Sequence, residues 1–311
     1  MIALVTGATG FIGRFMVKTL ADKGCDIICM VRNQRKAEMF EGMKGVRLVF
    51  ADINDSEIRR KLPSTKIDVI FNCMGYVEHK PKSRLYEVNV LGTENICRLA
   101  LELEVERLVH LSSIAVVNGN DVVPLIEDLP YKAKDLYGES KIEAEKKINE
   151  FRKKGLKAVM IRPCMVYGES EPHLLGLLLW LLRFRILPLL SVGDKKMHLV
   201  SVRNVCEAMF FSLTREEFLE GAFNIADNEV LTIKEIYTIL SESINAPPSW
   251  EMPSILEKIF SNIPYAGGTL KSFWKDRVFS IEKIKSLGFT PVYSPRDGLA
   301  RAAKYWLKYR G

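Results

Sequence analysis

The stretch Met1-Ile-Ala-Leu-Val-Thr-Gly-Ala-Thr-Gly-Phe-Ile-Gly13 decides the fold. Residues 2–5 are a short aliphatic run, the pattern of a buried strand. Residues 6–13 supply three glycines, and an amphipathic segment, 14–23, follows. A strand, a Gly-rich turn and a helix in that order turn a glycine pattern into a phosphate site. The first glycine allows the turn, the second lets backbone approach a pyrophosphate, and the third lets helix and strand pack closely. Unpaired N–H groups and the positive end of the helix dipole then face the phosphates.

Outward from this turn, strands and helices alternate. Residues 25–31 read as a second strand ending in Arg32-Asn33, and 46–50 as a third ending in Ala51-Asp52-Ile53. Residues 68–75, 107–111 and 158–161 are the fourth, fifth and sixth strands, and 221–226 hold the last. Helical patterns over about 83–104 and 136–154 lie between them, so the sheet is expected to be parallel and doubly wound. The residue ending the second strand of such a fold faces the adenosine ribose. A carboxylate there accepts from a free 2′-hydroxyl, and an arginine accommodates a 2′-phosphate. Arg32, with Arg35 and Lys36 behind it, therefore predicts NADP in preference to NAD.

Tyr137-Gly-Glu-Ser-Lys141 opens the helix at 136–154, and fourfold spacing puts Tyr137 and Lys141 on one face. A free phenol, with a pKa near 10, is a poor base at neutral pH. A nearby ammonium and a positive nicotinamide are expected to favour the phenolate and lower that value. The phenol can then exchange a proton with a carbonyl or alcohol as hydride moves. Ser113, at the end of the fifth strand, is the candidate to hydrogen-bond the substrate oxygen, with Ser112 as runner-up.

With its Gly-x-x-Gly-x-x-Gly spacing, TGATGFIG resembles the extended branch of the short-chain dehydrogenase/reductase superfamily. That branch holds NAD-dependent epimerases and dehydratases, 3-beta-hydroxysteroid dehydrogenases and dihydroflavonol-type reductases. The segments Asn89-Val-Leu-Gly-Thr93, Tyr137 to Lys141, Arg162-Pro-Cys-Met-Val-Tyr-Gly168, 198–209 and 279–298 extend the resemblance over nearly the whole chain. It is strongest in 1–168. It implies an α/β protein, a Rossmann-type doubly wound parallel sheet with a smaller C-terminal substrate-capping lobe. Residues 1–168 would bind the dinucleotide, with 198–227 returning to that domain, and 169–197 and 228–311 would form the lobe.

The resemblance also implies a cofactor shell. Gly7, Thr9, Gly10, Phe11, Ile12 and Gly13 come from the turn. Arg32, Asp52 and Ile53 come from strand ends, with Asp52 against the adenine. Cys73, Met74 and Gly75 follow the fourth strand, Pro163 and Val166 follow the sixth, and Lys141 holds the nicotinamide ribose. Asn89 would brace the central sheet. Family members pair into homodimers through the helices at about 83–104 and 136–154. Three departures stand out: Met74 where small residues are usual, Arg203-Asn204 in place of an acidic pair, and no Arg-Pro-Gly-Asp segment before the closing element.

Composition narrows the remaining choices. With 311 residues, 48% apolar and 27% charged, the chain has ample core for an enzyme. Its net charge of +7 comes from residues scattered among acids on amphipathic helices, with no nucleic-acid signature. Six cysteines without paired spacing read as reduced core residues in a reducing compartment, the cytoplasm, and the first strand leaves no room for a targeting peptide. Four scattered histidines give no metal site. The apolar stretch 174–190 is interrupted at Arg183, too early for a transmembrane span, and reads as a buried or interfacial helix of the lobe. As a membrane-surface helix it lacks a clean basic face.

The leading expectation is therefore an NADP-linked oxidoreductase acting on a secondary alcohol or ketone. An epimerase or dehydratase that retains NAD is the alternative, and a non-catalytic NAD(P) sensor is a third reading. For the substrate, a diphosphate needs cations. Members that use nucleotide sugars place an arginine five residues before the valine of the strand-helix return, where this chain has Met197. Lys196 and His198 flank Met197, and Arg277 is the candidate substitute for the missing Arg-Pro-Gly-Asp segment, though its neighbours do not match. With only Leu, Gly and Trp in 174–182, an apolar ketone or alcohol is the expected small-molecule substrate.

Overall fold

Near-continuous apolar runs such as IALVT, DIICMV and VIFN suit strands covered on both faces. They pair into one seven-stranded sheet in the computed structural model, which describes residues 1–309 except 56, 79, 190 and 254–274. The strands in chain order are β1 (Ile2–Thr6), β2 (Asp26–Val31), β3 (Val46–Phe50), β4 (Val69–Asn72), β5 (Arg107–Leu111) and β6 (Ala158–Pro163). Then come β7 (Met165–Tyr167), β8 (Lys196–Met197), β9 (Leu199–Ser201), β10 (Ala222–Ile225) and β11 (Leu231–Thr232). The sheet order is β10-β6-β5-β4-β1-β2-β3, with every neighbouring pair parallel. Strand order reverses between β1 and β4, and the crevice at their carboxyl ends is where ligands bind such sheets.

Period-two alternation splits the strands between two cores. Val5, Phe71, Val109 and Ile161 face one side, with α1 (Phe11–Asp22) and, later in the chain, the helix Val202–Phe211. Leu4, Ile70, Leu108 and Met160 face the other. The short helices α2 (Gln34–Ala37), α3 (Ile58–Lys61) and α4 (Lys82–Leu85) precede α5 (Gly92–Glu102) and α6 (Leu136–Arg152), and α5 and α6 cover that second side. The helix expected over 83–104 is not uniform: Tyr86–Leu91 winds as a π-helix between α4 and α5. All six cysteines are buried free thiols.

Beyond β6 the expectation needed correction. The strand-helix return is present as β9 and α8 (Val202–Phe211), but β9 pairs with β7, a strand not anticipated from the sequence, and stands outside the main sheet. A third core gathers Tyr167 of β7, Leu179 and Leu182 of α7 (Leu175–Arg183), Leu240 of α9 (Ile233–Ser243) and Trp306 of a C-terminal helix. That helix is α11 (Pro295–Tyr309), preceded by α10 (Glu282–Ser286). Thr232 and Glu235 form a capping box at the start of α9. The Pro- and Gly-rich sequence of 245–268 reads as irregular lobe structure, and of it residues 254–268 lie outside the described residues.

Candidate active site

The glycine turn has no room for side chains. Gly7 sits at φ +65°, where a Cβ would also come 2.7 Å from the Cys73 carbonyl oxygen. A Cβ on Gly13 would lie 2.1 Å from the Gly7 carbonyl, so only glycine lets α1 rise directly from the turn. Gly10 is the N-cap of α1 and offers no side-chain acceptor. The first-turn N–H groups of Phe11, Ile12 and Gly13 have no intrahelical partners and are available to an anion at the positive helix end.

The other expected cofactor residues fall at neighbouring strand ends. Arg32 follows β2 and Asp52 lies just past β3, and their side chains pair at 3.2 Å. Both are substantially exposed, so the pair itself adds little stability. Asn33 caps α2 by accepting from the Lys36 N–H. Cys73, Met74 and Gly75 continue from β4, and Pro163 ends β6 with Val166 next in β7. Met74 fits because Gly92 faces it: a Cβ there would lie 3.1 Å from the Met74 Cε and 3.6 Å from the Ile53 Cγ2.

Beneath the turn, a buried chain of polar groups ties three strands. The Thr6 hydroxyl donates to Asn72 Oδ1 at 2.8 Å, and Asn72 Nδ2 lies 3.0 Å from His110 Nδ1. Burial, helped by the charge of Lys141, pushes the His110 pKa well below its ordinary value and keeps the ring neutral. Asn89, in the π-helix, acts differently from a sheet brace. It accepts from the Tyr76 N–H at 2.8 Å and donates to the Tyr76 carbonyl at 2.9 Å and the Ser140 hydroxyl at 2.9 Å. Asn89 thereby clamps the loop after β4 to α6.

Tyr137 and Lys141 share a face of α6, whose N-cap Asp135 accepts from the Gly138 N–H at 2.8 Å. Ser113 is at hydrogen-bond reach of the Tyr137 phenol. Lys141 is buried, and its ammonium donates to the Leu111 carbonyl at 3.0 Å, beside the backbone at Gly75. Burial pushes the lysine pKa down to about 8, against the attraction of Glu145. Among the protein's own groups, burial governs the Tyr137 phenol, and the nicotinamide's share of the expected lowering lies outside the chain. Burial pushes its pKa up to about 12, opposed by the Ser113 hydrogen bond.

Ser112, by contrast, turns away into a network that sequence reasoning missed. Its hydroxyl donates to Glu145 Oε1 at 2.5 Å, and the Tyr131 hydroxyl donates to Oε2 at 2.7 Å. Arg162 adds Nε to Oε1 at 2.9 Å and Nη2 to Oε2 at 2.7 Å. The available signal was spacing, since Glu145 lies one further turn along the Tyr137–Lys141 face. A second surprise is cationic. Residues 275–279 run beside β8, with a bridge between Met197 and Arg277 and hydrogen bonds joining Arg277 to Lys196 and His198. Among the described residues no carboxylate pairs with Arg277. Lys134, three residues before Tyr137, has its pKa lowered by burial and by nearby Arg277 and Lys275, against the attraction of Asp121, which pairs with Lys275 at 3.1 Å.

The NAD dependent epimerase/dehydratase family matches residues 3–226. The chain belongs to that family. Its members include nicotinamide-dependent epimerases, dehydrogenases and reductases, and this chain is an enzyme of that kind with a Rossmann-type fold. It is 27% identical to UDP-glucose 4-epimerase of Vibrio cholerae, over 98% of this chain and 95% of that protein. It is 24% identical to an N-acetyl-alpha-D-glucosaminyl-diphospho-ditrans,octacis-undecaprenol 4-epimerase of Escherichia coli O157:H7, over 97% and 94%. The fold matches that of UDP-glucuronic acid 4-epimerase from Bacillus cereus in complex with NAD, at TM-score 0.80 and 18% identity over 99% and 98% of the two chains. Within the family's frame, Asn204 replaces an acid yet still builds structure. It donates to Asp227 at 2.6 Å and the Tyr293 carbonyl at 2.9 Å, and accepts from the N–H groups of Val292 and Tyr293 at 3.0 Å each.

Proposed function

We propose that this enzyme moves hydride between a nicotinamide cofactor and a secondary alcohol or ketone, with Tyr137 as the proton donor and acceptor. The convergence of Tyr137, Ser113 and Lys141 at the carboxyl ends of β5 and α6's first turns carries this reading. Ser113 would hold the substrate oxygen beside the phenol. Lys141 would hold the nicotinamide ribose, and the glycine turn the pyrophosphate. The bound nicotinamide supplies the hydride acceptor or donor. Arg32 supports NADP over NAD, and residues 169–197 with 228–311 would cap the substrate. Pairing of two chains through α5 and α6 belongs to the same reading.

The substrate we infer carries an anionic group. The apolar residues of α7, which suggested an oily ligand, either fill the lobe's core or face solvent. Lys134 and Arg277 instead bring two positive charges close to the Tyr137 end of α6. Asp121, paired with Lys275 at 3.1 Å, balances part of this charge, and a substrate phosphate or carboxylate would balance the rest. This observation favours the second reading, a diphosphate-linked sugar epimerase retaining NAD, as strongly as it favours a reductase of an acidic ketone. Mass spectrometry of the nucleotide released on denaturation separates the two. Tightly held NAD supports the epimerase, and an exchangeable site preferring NADP supports the reductase. Failure to bind either nucleotide would defeat both.

A further inference from the structure

Helix α7 has two apolar faces. Leu175, Leu179 and Leu182 are buried in the lobe's core, where Gly176 lets Trp306 of α11 approach. On the opposite side Leu174, Leu177, Trp180, Phe184 and Ile186 are 46–57% exposed. At helical spacing, residues 174, 177, 180 and 184 fall on one side. The Trp180 and Phe184 rings lie 5.3 Å apart, and the Arg183 guanidinium sits over Phe184 at 6.0 Å. An exposed apolar stripe of this size marks an interaction surface.

Charge decides the occupant. The helix has no basic face of its own, but no acid occurs between Glu171 and Asp194, and Arg183 and Arg185 at its C-terminal end are both exposed. Neither is in a salt bridge among the described residues. Neighbouring α11 adds exposed Lys304 and Lys308, with exposed Tyr309, and has no acid after Asp297. A second copy of this chain docking symmetrically would bring arginines against arginines. An anionic lipid headgroup layer would meet the cations while accepting the apolar side chains, with Trp and Tyr at the polar boundary. Nine residues span about 13 Å, so α7 lies along such a surface. No described helix is long and apolar enough to cross it.

We propose that the α7 face docks this enzyme on anionic membrane surfaces, independently of which substrate it uses. The test is co-sedimentation of the full chain, with its nicotinamide cofactor present, on phosphatidylcholine vesicles with or without phosphatidylglycerol. Binding is expected on the anionic vesicles and should weaken in high salt. The double variant Leu177→Glu/Trp180→Glu should lose about tenfold or more in partitioning, with thermal stability and cofactor binding unchanged. Arg183→Gln/Arg185→Gln should lose the preference for anionic over neutral vesicles. Absence of wild-type binding, or equal binding by the double variant, overturns the proposal. So does a wild-type dimer that the double variant splits while neither protein binds vesicles.

Discussion

The Arg162 guanidinium closes on the Glu145 carboxylate through two hydrogen bonds, at 2.9 and 2.7 Å, with both side chains out of solvent. Arg162 also reaches the Glu127 carbonyl at 2.9 Å, so one end of β6, α6 and the segment before it are tied together. Removing one partner of a buried pair leaves an uncompensated charge, at a cost of about 3–5 kcal/mol. Glu145→Gln should therefore lower unfolding free energy by about that much in urea titrations. A loss below about 1 kcal/mol would show that the pair contributes no more than an exposed one.

Lys141 makes the opposite kind of prediction. Its folded pKa, about 8, lies below the ordinary 10.5. Below pH 8 the lysine is charged in both states, and the folded protein bears the full cost of burying it. The cost falls between pH 8 and 10.5, where the unfolded chain binds more protons, and vanishes above. Lys141→Met should thus raise stability at pH 7 by up to about 3 kcal/mol and abolish turnover. The stability gain should shrink as pH rises past 8. Melting curves across that range check this, and a variant less stable than wild type at pH 7 refutes it.

Replacing Tyr137 by Phe removes the proton donor and leaves the ring's packing. Turnover should drop by about 10²–10⁴-fold, with cofactor affinity and melting temperature little changed. Near-normal steady-state rates would take Tyr137 out of the mechanism.

Arg32 tests cofactor choice. The variant Arg32→Asp removes a cation from the end of β2 and sets a second carboxylate beside Asp52. NADP binding should weaken roughly tenfold or more, while NAD binding is spared or improved. Calorimetric titration of both cofactors into both proteins measures this. Equal wild-type affinity for NAD and NADP would leave Arg32 as a surface residue paired with Asp52.

Sequence alone determined the features whose physics is local. The β1 strand, glycine turn and α1 are adjacent in the chain, and Gly7 and Gly13 are required by backbone geometry within a few residues. Tyr137 and Lys141 share a face by helical periodicity, and the parallel sheet follows from alternating apolar runs. The tertiary structure alone decided what depends on distant segments and on burial. Arg277 is 143 residues from Lys134, counting 277 − 134, and comes near it because 275–279 run beside β8. Strand β7 exists because β9 pairs with it, and the single apolar run of α7 divides into buried and exposed faces because α9 and α11 cover one side. The setting of the Tyr137 phenol depends on packing for the same reason. Helical spacing puts the lysine on the right face, but only the packed fold decides that its ammonium turns to the Leu111 carbonyl and that desolvation dominates the phenol.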